Sequence, residues 1–133
     1  MVNPMVEVTP EELKSTIGVA LTPPEGANDT MYFVIGGNLG EVQFKYGETN
    51  EKYSYRVQKT AEAQDISGIY FSSAIVNDMS FNSVPPATVT VEENGSAGAV
   101  TWFDNGYSYS ISMGDGADIE TLAGMYQLVY LGE

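Results

Sequence analysis

VTWFDNGYSYSISM, running from Val100 to Met113, places two strand-like runs on either side of Asn105-Gly106. An Asn-Gly pair supplies the two successive positive φ angles of a tight type I′ hairpin. Val100–Phe103 and Tyr107–Met113 are therefore expected to pair antiparallel. In the second run Tyr107, Tyr109, Ile111 and Met113 fall on one face, and Ser108, Ser110 and Ser112 on the other. A period of two with one polar side is the pattern of a half-buried strand.

The same pattern recurs upstream. Tyr53, Tyr55 and Val57 alternate with Ser54, Arg56 and Gln58 within Lys52–Lys59. Met31–Ile35 and Leu39–Tyr46 flank Gly36-Gly37-Asn38, a second hairpin signal, and Glu48-Thr49-Asn50-Glu51 reads as the link to the third strand. Ile66–Val76 reads as a further strand, as does Ala87–Glu92 after Pro85-Pro86. Asn94-Gly95 reads as another tight type I′ turn.

Helical signals bracket the strands. Thr9, Pro10 and Glu12 have the spacing of an N-cap, a first-turn proline and the reciprocal acid of a capping box. A short helix is thus predicted over 9–17, with Leu13 and Ile17 on its buried side and Gly18 ending it. Thr22–Asp29 reads as a loop. At the other end, Ile119, Leu122, Ala123, Tyr126, Val129 and Tyr130 form a stripe at helical spacing, predicting a helix over 118–131. The expected architecture is α+β: one domain spanning 1–133, with a curved antiparallel meander over 31–113. A short N-terminal helix and a C-terminal helix would pack on one face. A β-sandwich or small barrel with peripheral helices is the alternative.

Composition limits the chemistry. All five basic residues (Lys14, Lys45, Lys52, Arg56 and Lys59) lie in residues 1–59, beside eight acids; residues 60–133 hold ten acids and no base. Nucleic-acid affinity comes largely from Lys and Arg displacing counterions, so a chain of net charge −13 is not expected to bind DNA or RNA. Its apolar runs are too short to span a bilayer, so no membrane insertion is expected of this domain. High net charge also favours a monomer. With no histidine and no cysteine, Ser–His–Asp and Cys–His arrangements, thiol nucleophiles, zinc–thiolate sites and histidine-ligated metals are ruled out. No phosphate-binding or dinucleotide-binding glycine motif occurs, and no cofactor is expected. A carboxylate pair, as in glycoside hydrolysis, is the catalytic device that remains.

Four groups of residues are candidates for a role. Trp102, Tyr107 and Tyr109 cluster on one hairpin, where aromatic rings could offer a flat platform to a glycan or peptide, or simply fill the sheet. Arg56, the only arginine, is expected to pair with a carboxylate, and Asp65 is the candidate nearest in sequence. Asp115, Asp118 and Glu120 offer hard oxygens to calcium but lack the spacing of an EF-hand, and helix capping accounts for them more simply. Tyr70 and Phe71 are further aromatics in a predicted strand.

The order of short sequences along the chain resembles an uncharacterised family of exported, often lipid-anchored, β-rich proteins of Gram-positive anaerobic bacteria. The likeness is carried by Asn3-Pro4-Met5, Thr9-Pro10-Glu11-Glu12-Leu13, Gly18-Val19-Ala20-Leu21 and Pro24-Glu25-Gly26-Ala27. It continues through Tyr55-Arg56, Asp65-Ile66-Ser67-Gly68-Ile69-Tyr70, Trp102 and Tyr107-Ser108-Tyr109-Ser110. The resemblance implies an extracellular or cell-surface location, with a signal or anchor segment ahead of Met1, and carries over no catalytic residue. The function expected is a non-enzymatic exported module that binds a protein or glycan. A small carboxylate-dependent glycan or peptide hydrolase is one alternative, and an accessory domain of an envelope assembly is another.

Overall fold

A computed structural model describes residues 5–47, 51–69, 71–79, 86–114 and 116–131. Asn3, Pro4, Glu48-Thr49-Asn50, Tyr70, Pro85, Asp115 and the side chain of Tyr130 lie outside the described residues. The elements run β1 (Met5–Val8), α1 (Pro10–Ile17), β2 (Asn28–Ile35), β3 (Leu39–Tyr46), β4 (Glu51–Lys59) and β5 (Ala74–Met79). They continue with β6 (Ala87–Glu92), β7 (Gly98–Asp104), β8 (Tyr107–Met113) and α2 (Ile119–Leu131).

All eight strands form one antiparallel, unclosed sheet in the order β1-β2-β3-β4-β8-β7-β6-β5. The fold is α+β, as the patterning predicts, and consists of two four-strand meanders meeting where β4 pairs with β8. There Tyr53 lies opposite Met113, Tyr55 opposite Ile111 and Val57 opposite Tyr109. The register places the odd residues of β4 and β8 on one face, where they join Val42, Phe44, Val89, Val100 and Trp102 in a single core.

Both helices cover that face. The Thr9 hydroxyl accepts from the Glu12 N–H and the Glu12 carboxylate accepts from the Thr9 N–H, closing the capping box of α1. Gly18 ends the helix in the left-handed region at φ 105°. Each helix rests over a glycine. A Cβ at Gly40 would lie 3.1 Å from Ile17 of α1, and one at Gly98 would lie 2.9 Å from Leu122 of α2. The absence of side chains there lets Leu13 and Ile17, and Leu122, Met125 and Tyr126, reach full burial.

Three expectations need correction. The opening residues Met5–Val8 form a strand paired with β2, a run too short for its period to show in the sequence. Asn105 and Gly106 adopt φ 51° and 84°, as type I′ requires, but at Asn94-Gly95 only the glycine is positive. The latter pair sits in a longer loop closed by Glu92 N–H to Ala97 O and Gly95 N–H to Glu92 O. Finally, Ile66–Val76 is not one strand. Residues 60–69 and 71–73 form an irregular strap, and strand pairing begins only at Ala74. The reason is that side chains of the sheet engage the strap's backbone.

Candidate functional site

The strap carries the chain from β4, mid-sheet, to β5 at the edge, across the face opposite the helices. It is fastened at three places. At its start the Ser108 hydroxyl bonds the Thr60 hydroxyl (2.7 Å) and accepts from the Gln64 N–H (3.1 Å). At its middle Arg56 donates to the Ile66 carbonyl (3.1 Å). At its end the Glu92 carboxylate accepts from the N–H groups of Ser72 (2.9 Å) and Ser73 (2.8 Å), which hold its pKa below the usual carboxylate value.

Arg56 is paired with Glu41, not with Asp65. Its Nε lies 2.6 Å from Glu41 Oε1, and Glu41 is only 1% exposed. The cause is register: Glu41 in β3 stands directly opposite Arg56 in β4, whereas Asp65 turns its carboxylate back onto the Ser67 N–H at 2.9 Å. Gln43 donates to the second Glu41 oxygen at 2.6 Å, so both carboxylate oxygens are engaged. Gly68 lies against the guanidinium, where a Cβ would come within 3.0 Å of Arg56 Nη1. Glu41 was not singled out in the sequence; an acid midway along an apolar strand was the available signal. Beside this pair, and opposite Arg56, the buried Ser110 hydroxyl has no hydrogen-bond partner among the described residues.

The aromatic hairpin lies on the covered face. Trp102 is 4% exposed, stacks on Tyr109 with ring centroids 5.2 Å apart and meets the edge of Tyr126 at 4.7 Å. Tyr107 is half-buried and donates from its hydroxyl to the Ile17 carbonyl, tying β8 to the end of α1. These rings hold the helices to the sheet, so the reading of Trp102 as an open ligand platform is corrected: α2 covers it. Burial, with Asp104 nearby, pushes the Tyr126 phenol up to about 12 and raises that of Tyr109. Burial, with Glu51 and Asp118 nearby, pushes Tyr53 up to about 12.

Of the calcium candidates, Asp118 caps α2. Its carboxylate accepts from the Thr121 N–H (2.8 Å) and the Thr121 hydroxyl (2.9 Å). Glu120 is exposed in the first turn, favourably placed for the helix dipole. Among the described residues no group of three or more acids could hold a metal ion, and no helix is long and apolar enough to cross a membrane.

Among the concavities between described residues, two border the strap and the β5 edge. One, of about 390 Å³, lies between the strap (Gln64, Asp65) and Thr88, Thr101 and Phe103 of β6 and β7. The other, of about 430 Å³, lies at the β5 edge; it has apolar walls from Ile75, Val91, Ala117 and Ile119 and acids Glu92, Glu93, Asp118 and Glu120 around them. Beside it, Ile75 and Val76 are 48% and 61% exposed. Comparison of the chain with known protein families, curated proteins and solved structures found no match.

Proposed function

We propose that this domain is a non-enzymatic interaction module that binds another protein, displayed outside the cell as the family resemblance implies. The observation that carries this reading is the pairing of a sealed aromatic core with an open sheet whose β5 edge exposes Ile75 and Val76. Glycan platforms need accessible rings, and here Trp102 and Tyr109 spend their faces on each other. A carboxylate hydrolase needs an acid free to exchange protons with substrate. The buried acid, Glu41, is instead committed to Arg56 and Gln43. An unpaired sheet edge, by contrast, offers main-chain donors and acceptors to another polypeptide.

The test is a peptide-display screen run beside a panel of chromogenic glycosides and quenched peptide substrates. The expected result is saturable peptide binding with no turnover. Turnover that scales with protein concentration and is lost in Glu41→Gln, with folding intact, would replace this reading with the hydrolase.

A further inference from the structure

Resting on the reading of the domain as a protein-interaction module, we infer that its docking site is the outer edge of β5, and that its occupant is an extended, basic segment of a partner protein added as a ninth strand. Three observations converge on this edge.

The first is which backbone groups are free. Just ahead of the ladder the Glu93 N–H donates to the Ser73 carbonyl, while the Ser73 N–H turns to the Glu92 carboxylate. The single main-chain bond fixes the phase, with Ser73 and Glu93 at a bonding position next to the Ala74–Glu92 pair. Hydrogen-bonded and non-bonded pairs alternate along such a ladder. Ile75 opposite Val91 and Asn77 opposite Val89 therefore bond inward to β6. The N–H and C=O groups of Ala74, Val76 and Asp78 point outward, where no strand among the described residues pairs with them.

The second is that this edge lacks the usual protection. Edge strands are commonly blunted by shortness, lysine, proline or a bulge. The opposite edge, β1, has four residues, but β5 has six, Ala-Ile-Val-Asn-Asp-Met, with neither lysine nor proline and an unbroken register to β6. Along its helix-side face lies the 430 Å³ concavity, with room for a side chain from an added strand.

The third is charge. Glu92, Glu93, Asp118 and Glu120 line this corner, Asp78 adds a further acid along β5, and no base occurs in the sequence after Lys59. The bases nearest along the sheet are on β4, separated from β5 by β8, β7 and β6. Four strand spacings are about 19 Å, beyond the Debye length of about 8 Å at physiological salt. The edge therefore presents an acidic field that the chain's own cations leave uncompensated. A second copy would bring the same acids to the same edge, so self-pairing is disfavoured. A lysine- or arginine-bearing strand fits, its aliphatic stem against Ile75 and Ile119 and its charge among the carboxylates.

The probe is a short peptide alternating lysine and valine, with a glutamate–valine peptide and a backbone N-methylated lysine–valine peptide as controls. Amide chemical shifts of the labelled protein report where each binds. The expected result is saturable binding of the basic peptide at low salt, with shifts centred on 74–79 and 117–120. N-methylation and Val76→Pro should each weaken binding at least about tenfold, since each removes outward main-chain bonding. Val76→Pro leaves the ladder to β6 intact, and the shifts of the remaining residues check its fold. Glu120→Gln should weaken binding less, and only at low salt. Shifts elsewhere, or equal binding by the acidic or N-methylated peptide, would overturn the edge proposal while leaving an interaction module standing. No binding by any peptide, or a concentration-dependent dimer abolished by Val76→Pro, would also overturn it. Turnover of substrate in the preceding screen is the result that removes the interaction reading itself.

Discussion

The two faces of the sheet are built on different principles. One is apolar, with Val42, Val57, Val89, Val100 and Ile111 sealed under two helices that each settle over a glycine. The other buries Glu41, Ser108 and Ser110 under an irregular strap, and those polar groups bond the strap's backbone or lie beneath it. On the first face the covering element meets its own hydrogen bonds as a helix and needs only shape. The strap has no internal ladder, so the sheet must supply partners to its buried N–H and C=O groups. Regular cover goes with an apolar floor and irregular cover with a polar one.

Trp102→Ala tests the apolar side hardest. Removing a ring packed against Tyr109, Tyr126 and Tyr55 should cost about 3–5 kcal/mol. Urea denaturation should show this as a lowered midpoint, and a near-neutral result would mean that α2 does not seal this face. Arg56→Ala probes the strapped side and should cost somewhat less, about 2–3 kcal/mol, because the guanidinium is partly solvated while Glu41 is left buried without its cation. Limited proteolysis should then cut within 61–68 in the variant before the wild type. If cleavage stays unchanged, Arg56 does not hold the strap.

Alkaline titration separates the faces further. Tyr53 and Tyr126, both on the helix-covered face, have folded-state pKa values of about 12 against an ordinary value of 10.0. Below pH 10 both states keep these phenols neutral and the stability is fully present. Above pH 10 the unfolded chain loses protons first, so stability falls until the folded-state phenols ionise as well, near pH 12. The urea midpoint should drop across that window, and by less in Tyr126→Phe. A pH-independent midpoint would contradict the burial of these phenols. The smallest effect is expected at Ser110, whose buried hydroxyl has no partner among the described residues. Ser110→Ala should lie within about 0.5 kcal/mol of wild type or be slightly more stable. A loss above about 1 kcal/mol would reveal a bond made by that hydroxyl.

What was legible in the sequence follows the same division. The capping box at Thr9 and Glu12, the Asn105-Gly106 turn and the alternation in β4 and β8 are local signals, and each formed as read. Leu13, Ile17, Leu122 and Tyr126 were placed in the core from spacing alone. The strap is illegible locally because Ile66, Ile69 and Phe71 are strand-like residue types, while Arg56, Ser108 and Glu92 reach the backbone of Ile66, Gln64 and Ser72–Ser73 from other strands. Asp65 looked the best partner for Arg56 by proximity, but register chose Glu41. For Trp102, the hairpin signal placed the ring in the same hairpin as Tyr109 but carried no sign that α2 would cover it. The β5 edge was hidden for a related reason: which strand lies outermost is a property of topology, and Ile75 and Val76 look like core residues until the order is known.

The junction of the two meanders also sets a constraint on synthesis. β4 waits for β8, with Lys59 meeting Tyr107 at one end and Tyr53 meeting Met113 at the other. While the chain emerges from the ribosome, the first meander can form early, yet Tyr53, Tyr55 and Val57 stay at a raw border until β8 has been made. Sealing that border requires the strand pairing of longest sequence separation in the sheet, a slow event for any topology rich in distant contacts. The interval between the synthesis of β4 and that of β8 is thus when the nascent domain is most open to mispairing.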